Sequence, residues 1–394
     1  MSKQITDPQS SSSIRSETQA NQPEFSERGK ERDSQEHALR ERYEAMIQAK
    51  QARRRGLAEG RALTAVAAGI MAFLLILGII FSHMPASKSS TTAATGVTTN
   101  ANSTANQPVP TVAVPPHQTY NPVAPATPQG NTVNLTLTVK ELLVAIAPGV
   151  AYHAWTFNGT VPGPVLRVRQ GQTVHFTLVN DGTMPHSIDF HAAQTPWSVN
   201  YQPIAPGKSF SFDWKANYPG VFMYHCGAPV TIYHMANGMY GAIIVDPAQG
   251  WVPAQEYVLV QSEFYTARLP DGSYGVDPNK LASGNPDYVV FNGYANQYKD
   301  SPIVAKAGQR IRIFIVNAGP TLFSAFHVIG AIFSDTYIDG NPANHMVGDQ
   351  TVTVPPGGGV MVELTIPQPG LYPFVSHSFA SVGKGAIGIL KVVP

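Results

Sequence analysis

Cysteine is almost missing from this chain: Cys226 is the only one in 394 residues. A lone cysteine excludes an intrachain disulfide, and it also excludes the paired thiolates that structural zinc prefers. No Cys-x-x-Cys-His motif exists to attach a haem. Excess charge is missing too: 26 Lys and Arg against 25 Asp and Glu leave a formal net charge of +1. That balance offers no bulk attraction for nucleic acid. What is abundant is glycine (34) and proline (33), with few charges, the composition of a turn-rich β protein.

The chain changes character three times. Residues 1–60 are polar and charged, disordered in composition over 1–30 and rich in helix formers from Glu31 to Arg55. Ala62 to Phe81 is uncharged and almost wholly apolar, long enough to span a bilayer. Arg53, Arg54, Arg55 and Arg61 crowd its N-terminal side and only Lys88 lies near the other. The positive-inside rule predicts a signal anchor over 61–84, with residues 1–60 in the cytoplasm and the rest outside the cell membrane. Residues 85–130 are Ser, Thr, Ala, Asn and Pro-rich, which predicts a disordered linker.

From about Val133 short runs alternate polar and apolar residues between Gly, Pro, Asn and Asp turns, as in Thr173-Val-His-Phe-Thr-Leu-Val179. No long amphipathic helical pattern interrupts them, which predicts an all-β sandwich fold. The region repeats itself. Gly163–Asn180 resembles Ser301–Asn317, Tyr218–His225 resembles Gln368–His377, and Gly238–Val245 resembles Gly385–Val392. The repeat predicts two sandwich domains of one kind, 131–250 and 251–394, joined near Asp246–Glu256.

The histidines sit around the lone thiol. His186, Cys226, His234 and Met239 form, in order, the ligand set of a blue-copper electron-transfer site. His225 and His191 are left over. Neighbouring side chains on a strand face opposite ways, so His225 points away from Cys226 toward a possible second metal. His191 follows His186 by an odd step and can do the same. His377, in the loop matching His225, is the candidate third ligand, and three imidazoles with an open position describe a catalytic metal site. Asp189, between His186 and His191, can pass protons. His327, which matches His186 in the repeat but has no thiolate partner, is free for acid–base work near neutral pH.

These residues resemble the copper-containing, nitric-oxide-forming nitrite reductases over about 133–394. The motifs are His186-Ser-Ile-Asp-Phe-His191, Tyr224-His225-Cys226, His234-Met-Ala-Asn-Gly-Met239, Phe326-His-Val-Ile-Gly330 and Val375-Ser-His377. The resemblance implies two cupredoxin-like Greek-key domains. It implies a type 1 copper held by His186, Cys226, His234 and Met239, and a type 2 copper held by His191, His225 and His377. Asp189 and His327 would be the proton-relay pair, and Ile329 would shape the pocket above the substrate. Members are homotrimers with the type 2 copper between subunits, so His377 would come from a neighbouring chain. Nitrite would be the substrate, and a small cupredoxin or a cytochrome c the electron donor. The stretch Gln194–Pro203 lacks the family's glycine-rich run, and the Cys226–His234 loop and the segment after His377 differ in detail from better-known members.

Two other readings share some of these features. A laccase-like multicopper oxidase would need a trinuclear cluster built from His-x-His pairs, and the chain has none. A membrane-tethered cupredoxin that only relays electrons would have no use for His377.

Overall fold

The structure is a computed structural model, described over residues 112–394. The N-terminal segment 1–60, the expected anchor over 61–84 and the expected linker up to 111 lie outside the described residues. Among the described residues, no helix is long and apolar enough to cross a membrane. The described residues are all-β, with only short helical turns among them, the longest being six residues.

Four sheets carry the fold. One six-stranded sheet is ordered Thr266–Arg268, Tyr274–Val276, Val150–Phe157, Thr132–Ala147, Thr173–Asn180, Ser209–Lys215. Its mate has four strands, Leu166–Arg169, Tyr240–Asp246, Gly220–His225 and Asp189–Phe190. Their alternating inner residues meet in one core around Leu137, Phe176, Phe190, Trp214, Tyr224 and Ile243. The other two sheets have six and five strands and enclose a second core around Phe291, Ile313, Phe326, Val362 and Phe374. The repeat is visible in the pairing. Thr132–Ala147 runs parallel to Thr173–Asn180, just as Gln255–Phe264 runs parallel to Arg310–Gly319.

The two halves are fused by burial. Val221, Met223, Tyr240 and Ile244 from the first pack with Val258, Val260, Phe314 and Met361 from the second in a shared cluster. The second half also lends the hairpin Thr266–Arg268 and Tyr274–Val276 to the first half's sheet, bridging at Tyr274 and Tyr152. Residues 112–130, expected as the end of the linker, lie against the body. Val258 N–H donates to the Pro122 carbonyl at 2.7 Å, Tyr298 Oη to the Tyr120 carbonyl at 2.9 Å, and His117 stacks on Tyr294 at 3.5 Å.

A buried ion network crosses the junction. Arg167 pairs with Asp246 at 2.8 Å and Glu256 at 2.6 Å, and Arg312 joins Glu256 at 2.5 Å and Glu363 at 2.7 Å. Arg312 and Glu363 are 1% and 2% exposed, so removing either partner strands a charge away from water. Arg312→Met is expected to lower unfolding stability by about 3 kcal/mol, read from the denaturant midpoint. Arg310 stays beside Glu363 and keeps the loss at that end of the range.

Candidate metal centres

The strand Gly220–His225 divides the two centres. His225 is its last residue, and the Cys226 N–H donates to the Met239 carbonyl at 3.1 Å as the chain leaves it. Alternation sends the two side chains to opposite faces. Cys226 Sγ turns into the first core, and His225 turns toward His191 and Asp189.

On the core side, His186, Cys226 and His234 offer ligand atoms within 4.8 Å of one another. Cys226 Sγ lies 3.3 Å from His234 Nδ1 and 3.9 Å from His186 Nδ1, and the two Nδ1 atoms are 3.2 Å apart. His234 is carried by the one-turn helix Thr231–Ala236, whose end leads directly to Met239. Met239 is fully buried in the same core cluster as Cys226. Trp155 stands edge-on to both imidazoles, 4.8 Å from His234 and 5.6 Å from His186. The Ser187 N–H donates to Cys226 Sγ at 3.3 Å, and Ser187 Oγ accepts from the Gly227 N–H at 3.0 Å. Burial pushes the thiol up to about 11. It pulls His234 down to about 4, helped by its neighbour His186, and lowers His186 against the opposing pull of Glu141. Neutral imidazoles beside a shielded sulfur are ready to ligate, and a soft thiolate with two nitrogens and a thioether fits copper.

On the opposite side, Asp189, His191 and His225 form a second group. The two Nε2 atoms are 3.2 Å apart, and Asp189 Oδ2 is 3.6 Å from His225 Nε2. Each imidazole donates its Nδ1–H to a backbone carbonyl, His225 to Cys226 at 2.9 Å and His191 to Gly357 at 3.0 Å. That fixes both tautomers with Nε2 as the lone-pair nitrogen. Burial lowers the His225 pKa, and the nearby His191 adds to the effect.

His377 does not join this group within one chain. It stands exposed beside His327, with ring centroids 5.5 Å apart, and His327 Nδ1–H donates to the Gln350 carbonyl at 2.5 Å. The six sequence-predicted imidazole, thiol and carboxyl groups of the first half therefore form two clusters here. His327 and His377 of the second half form a third, and Ile329 is 42% exposed near them in sequence. Within one chain, His327 therefore lies with His377, and Asp189 with His191 and His225.

A model of the multicopper oxidase family matches residues 138–250. The copper-containing nitrite reductase of Neisseria meningitidis is 41% identical over 271 residues, covering 66% of this chain and 67% of that protein. The chain belongs to the copper-containing nitrite reductase family. Among solved structures, the copper nitrite reductase of Nitrosomonas europaea matches with a TM-score of 0.62 and 39% identity, over 66% of this chain and 94% of that one. A multicopper oxidase matches at 0.60 and 27% identity, over 66% and 89%. The family's cofactor is copper, which suits both donor sets described above.

Several residues of this family member's sites are not apparent from motif spacing. Gly357 is one. Its φ is +79°, and a Cβ there would stand 3.3 Å from His191 Cε1. Gly357→Ala is expected to strain that turn and turn the exposed His191 ring. Metal affinity at the His191–His225 group should fall about 10–100-fold, the usual cost of losing a ligand's orienting partner. Copper titration followed by magnetic resonance reads this, with the visible thiolate band as the unchanged internal control.

Proposed function

We propose that this chain reduces nitrite by one electron to nitric oxide and water, consuming two protons. The observation that carries the reading is the back-to-back placement of two adjacent residues: Cys226 faces one donor set, His225 the other, and one peptide bond joins them. His186, Cys226, His234 and Met239 would hold the copper that accepts the electron. His191 and His225, completed by His377 of a neighbouring copy, would hold the copper where the anion binds. Bound copper supplies one-electron redox chemistry and Lewis-acid attraction for an anion.

The chain's own groups supply the rest. The Cys226–His225 peptide gives an electron a short covalent path between the clusters. Asp189 lies beside His225 and is placed to hold a proton near an anion. His327, with Nδ1–H committed to the Gln350 carbonyl, keeps Nε2 free to accept or deliver another. Ile329 would form the apolar wall over the substrate. A homotrimer would bring His327 and His377 of one copy to Asp189, His191 and His225 of the next. Phe323, Ile329 and Phe379 support this, being exposed apolar side chains in the same two segments, of a kind that interfaces cover. A small cupredoxin or a cytochrome c would deliver the electron, outside a membrane to which residues 61–84 would tether the enzyme.

The test is copper loading followed by nitrite titration. Two coppers per chain, a visible thiolate band and a second signal that nitrite alone perturbs are expected, with nitric oxide released on reduction. One copper per chain, or oxygen uptake in place of nitrite consumption, would reject the reading.

A further inference from the structure

We propose that Glu141 is a positioning residue for the thiolate centre, its carboxylate taking the outward N–H of His186 and tying it to the loop that carries that ligand. The inference rests on His186 being a copper ligand, as assigned above. His186 turns Nδ1 toward Cys226 and His234, so Nε2 leads away from the centre. There it meets Glu141 Oε1 at 3.4 Å. An imidazole that gives its Nδ1 lone pair to a metal carries its proton on Nε2, and a carboxylate is the strongest common acceptor for it.

Two further observations show that the contact is built. The same carboxylate receives the Thr183 backbone N–H at 2.7 Å on Oε1 and the Thr183 hydroxyl at 2.7 Å on Oε2. Thr183 belongs to the loop that ends at His186, so Glu141, from the long strand Thr132–Ala147, clamps loop and ring together. The residue before Thr183 is Gly182. A Cβ on it would stand 2.7 Å from Glu141 Oε1 and 3.3 Å from His186 Cδ2. A side chain there would push the carboxylate from its place beside the imidazole edge. A negative charge behind a ligand favours the more positive oxidised metal, so this contact holds the reduction potential of the centre down.

The copper-loaded protein tests it by redox titration and visible absorption. Glu141→Gln keeps the shape and removes the charge. The midpoint potential should rise, shifting the equilibrium with a fixed redox partner about tenfold toward the reduced metal, while the visible band persists. Gly182→Ala keeps the charge but displaces it, and should move the potential the same way while altering the band as the ring turns. Glu141→Asp, which keeps the charge on a shorter arm, should fall between wild type and Glu141→Gln. A merely structural clamp would lower stability in these variants and leave the potential alone. An unchanged potential in Glu141→Gln overturns the proposal. If that variant fails to fold, an unchanged potential and band in Gly182→Ala overturn it equally. Should the wild-type protein show no thiolate band, the ligand assignment itself fails, and that outcome is distinct from either.

Discussion

Removing His377 should silence nitrite reduction without dimming the colour of the protein. On the proposed assignment, His377→Ala takes one imidazole from the anion-binding copper and leaves the Cys226 environment untouched, since His377 lies apart from both first-half clusters within a chain. Copper affinity at the His191–His225 group should drop by more than about a hundredfold, exceeding the cost of losing only an orienting partner. The sharper experiment mixes chains. Co-expressed His191→Ala and His377→Ala chains should each be inactive alone yet recover about a quarter of wild-type turnover together, because a closed ring of mixed copies rebuilds an intact junction at one contact in four on average. If each chain closed its own His377 onto its own His191, mixing would restore nothing. No recovery in correctly assembled mixed rings would therefore reject the shared site.

The second large effect belongs to the sulfur. Cys226→Ala should abolish the visible band and lower turnover with a natural donor by roughly a thousandfold, as expected when one member of a unit acting together is lost. Nitrite should still perturb the remaining copper, because His225 keeps its Nδ1–H on the residue-226 carbonyl, which the substitution preserves. Loss of nitrite binding in Cys226→Ala would show instead that the two centres are one structural unit. Magnetic resonance with and without nitrite separates these outcomes.

Much of this arrangement is legible in the linear chain because strand alternation is a strict rule. A cysteine next to a histidine at a strand end sends them to opposite faces; His186 and His191 also join different clusters, although only Asp189–Phe190 between them is strand. The internal repeat likewise exposes the paired sheets, since matched strands such as Thr173–Asn180 and Arg310–Gly319 keep the same neighbours. What stays hidden depends on long-range contact. Glu141 sits between Lys140 and Leu142 in a strand, a charge whose meaning appears only when Thr183 and His186 are brought to it. The Gly357 and Gln350 carbonyls orient imidazoles through backbone atoms, which no side-chain motif records. The neighbourhood of His327 within the chain is hidden for the same reason: the repeat relates it to His186, and only folding sets it beside His377. Residues 112–130 have the composition of a spacer, and their order comes from partners such as Tyr298 and Arg167 far along the chain.

The borrowed hairpin bears on how this protein could be taken apart. The outer edge of Val150–Phe157 is covered by the hairpin from beyond the repeat boundary, which pairs through Tyr274 and Tyr152. A fragment ending near residue 250 would carry an uncapped strand edge and the bare apolar flank of Val221, Met223 and Ile244. Such surfaces recruit other chains. Anyone hoping to harvest the coloured half alone as a minimal electron carrier should anticipate insoluble material unless the lending hairpin travels with it.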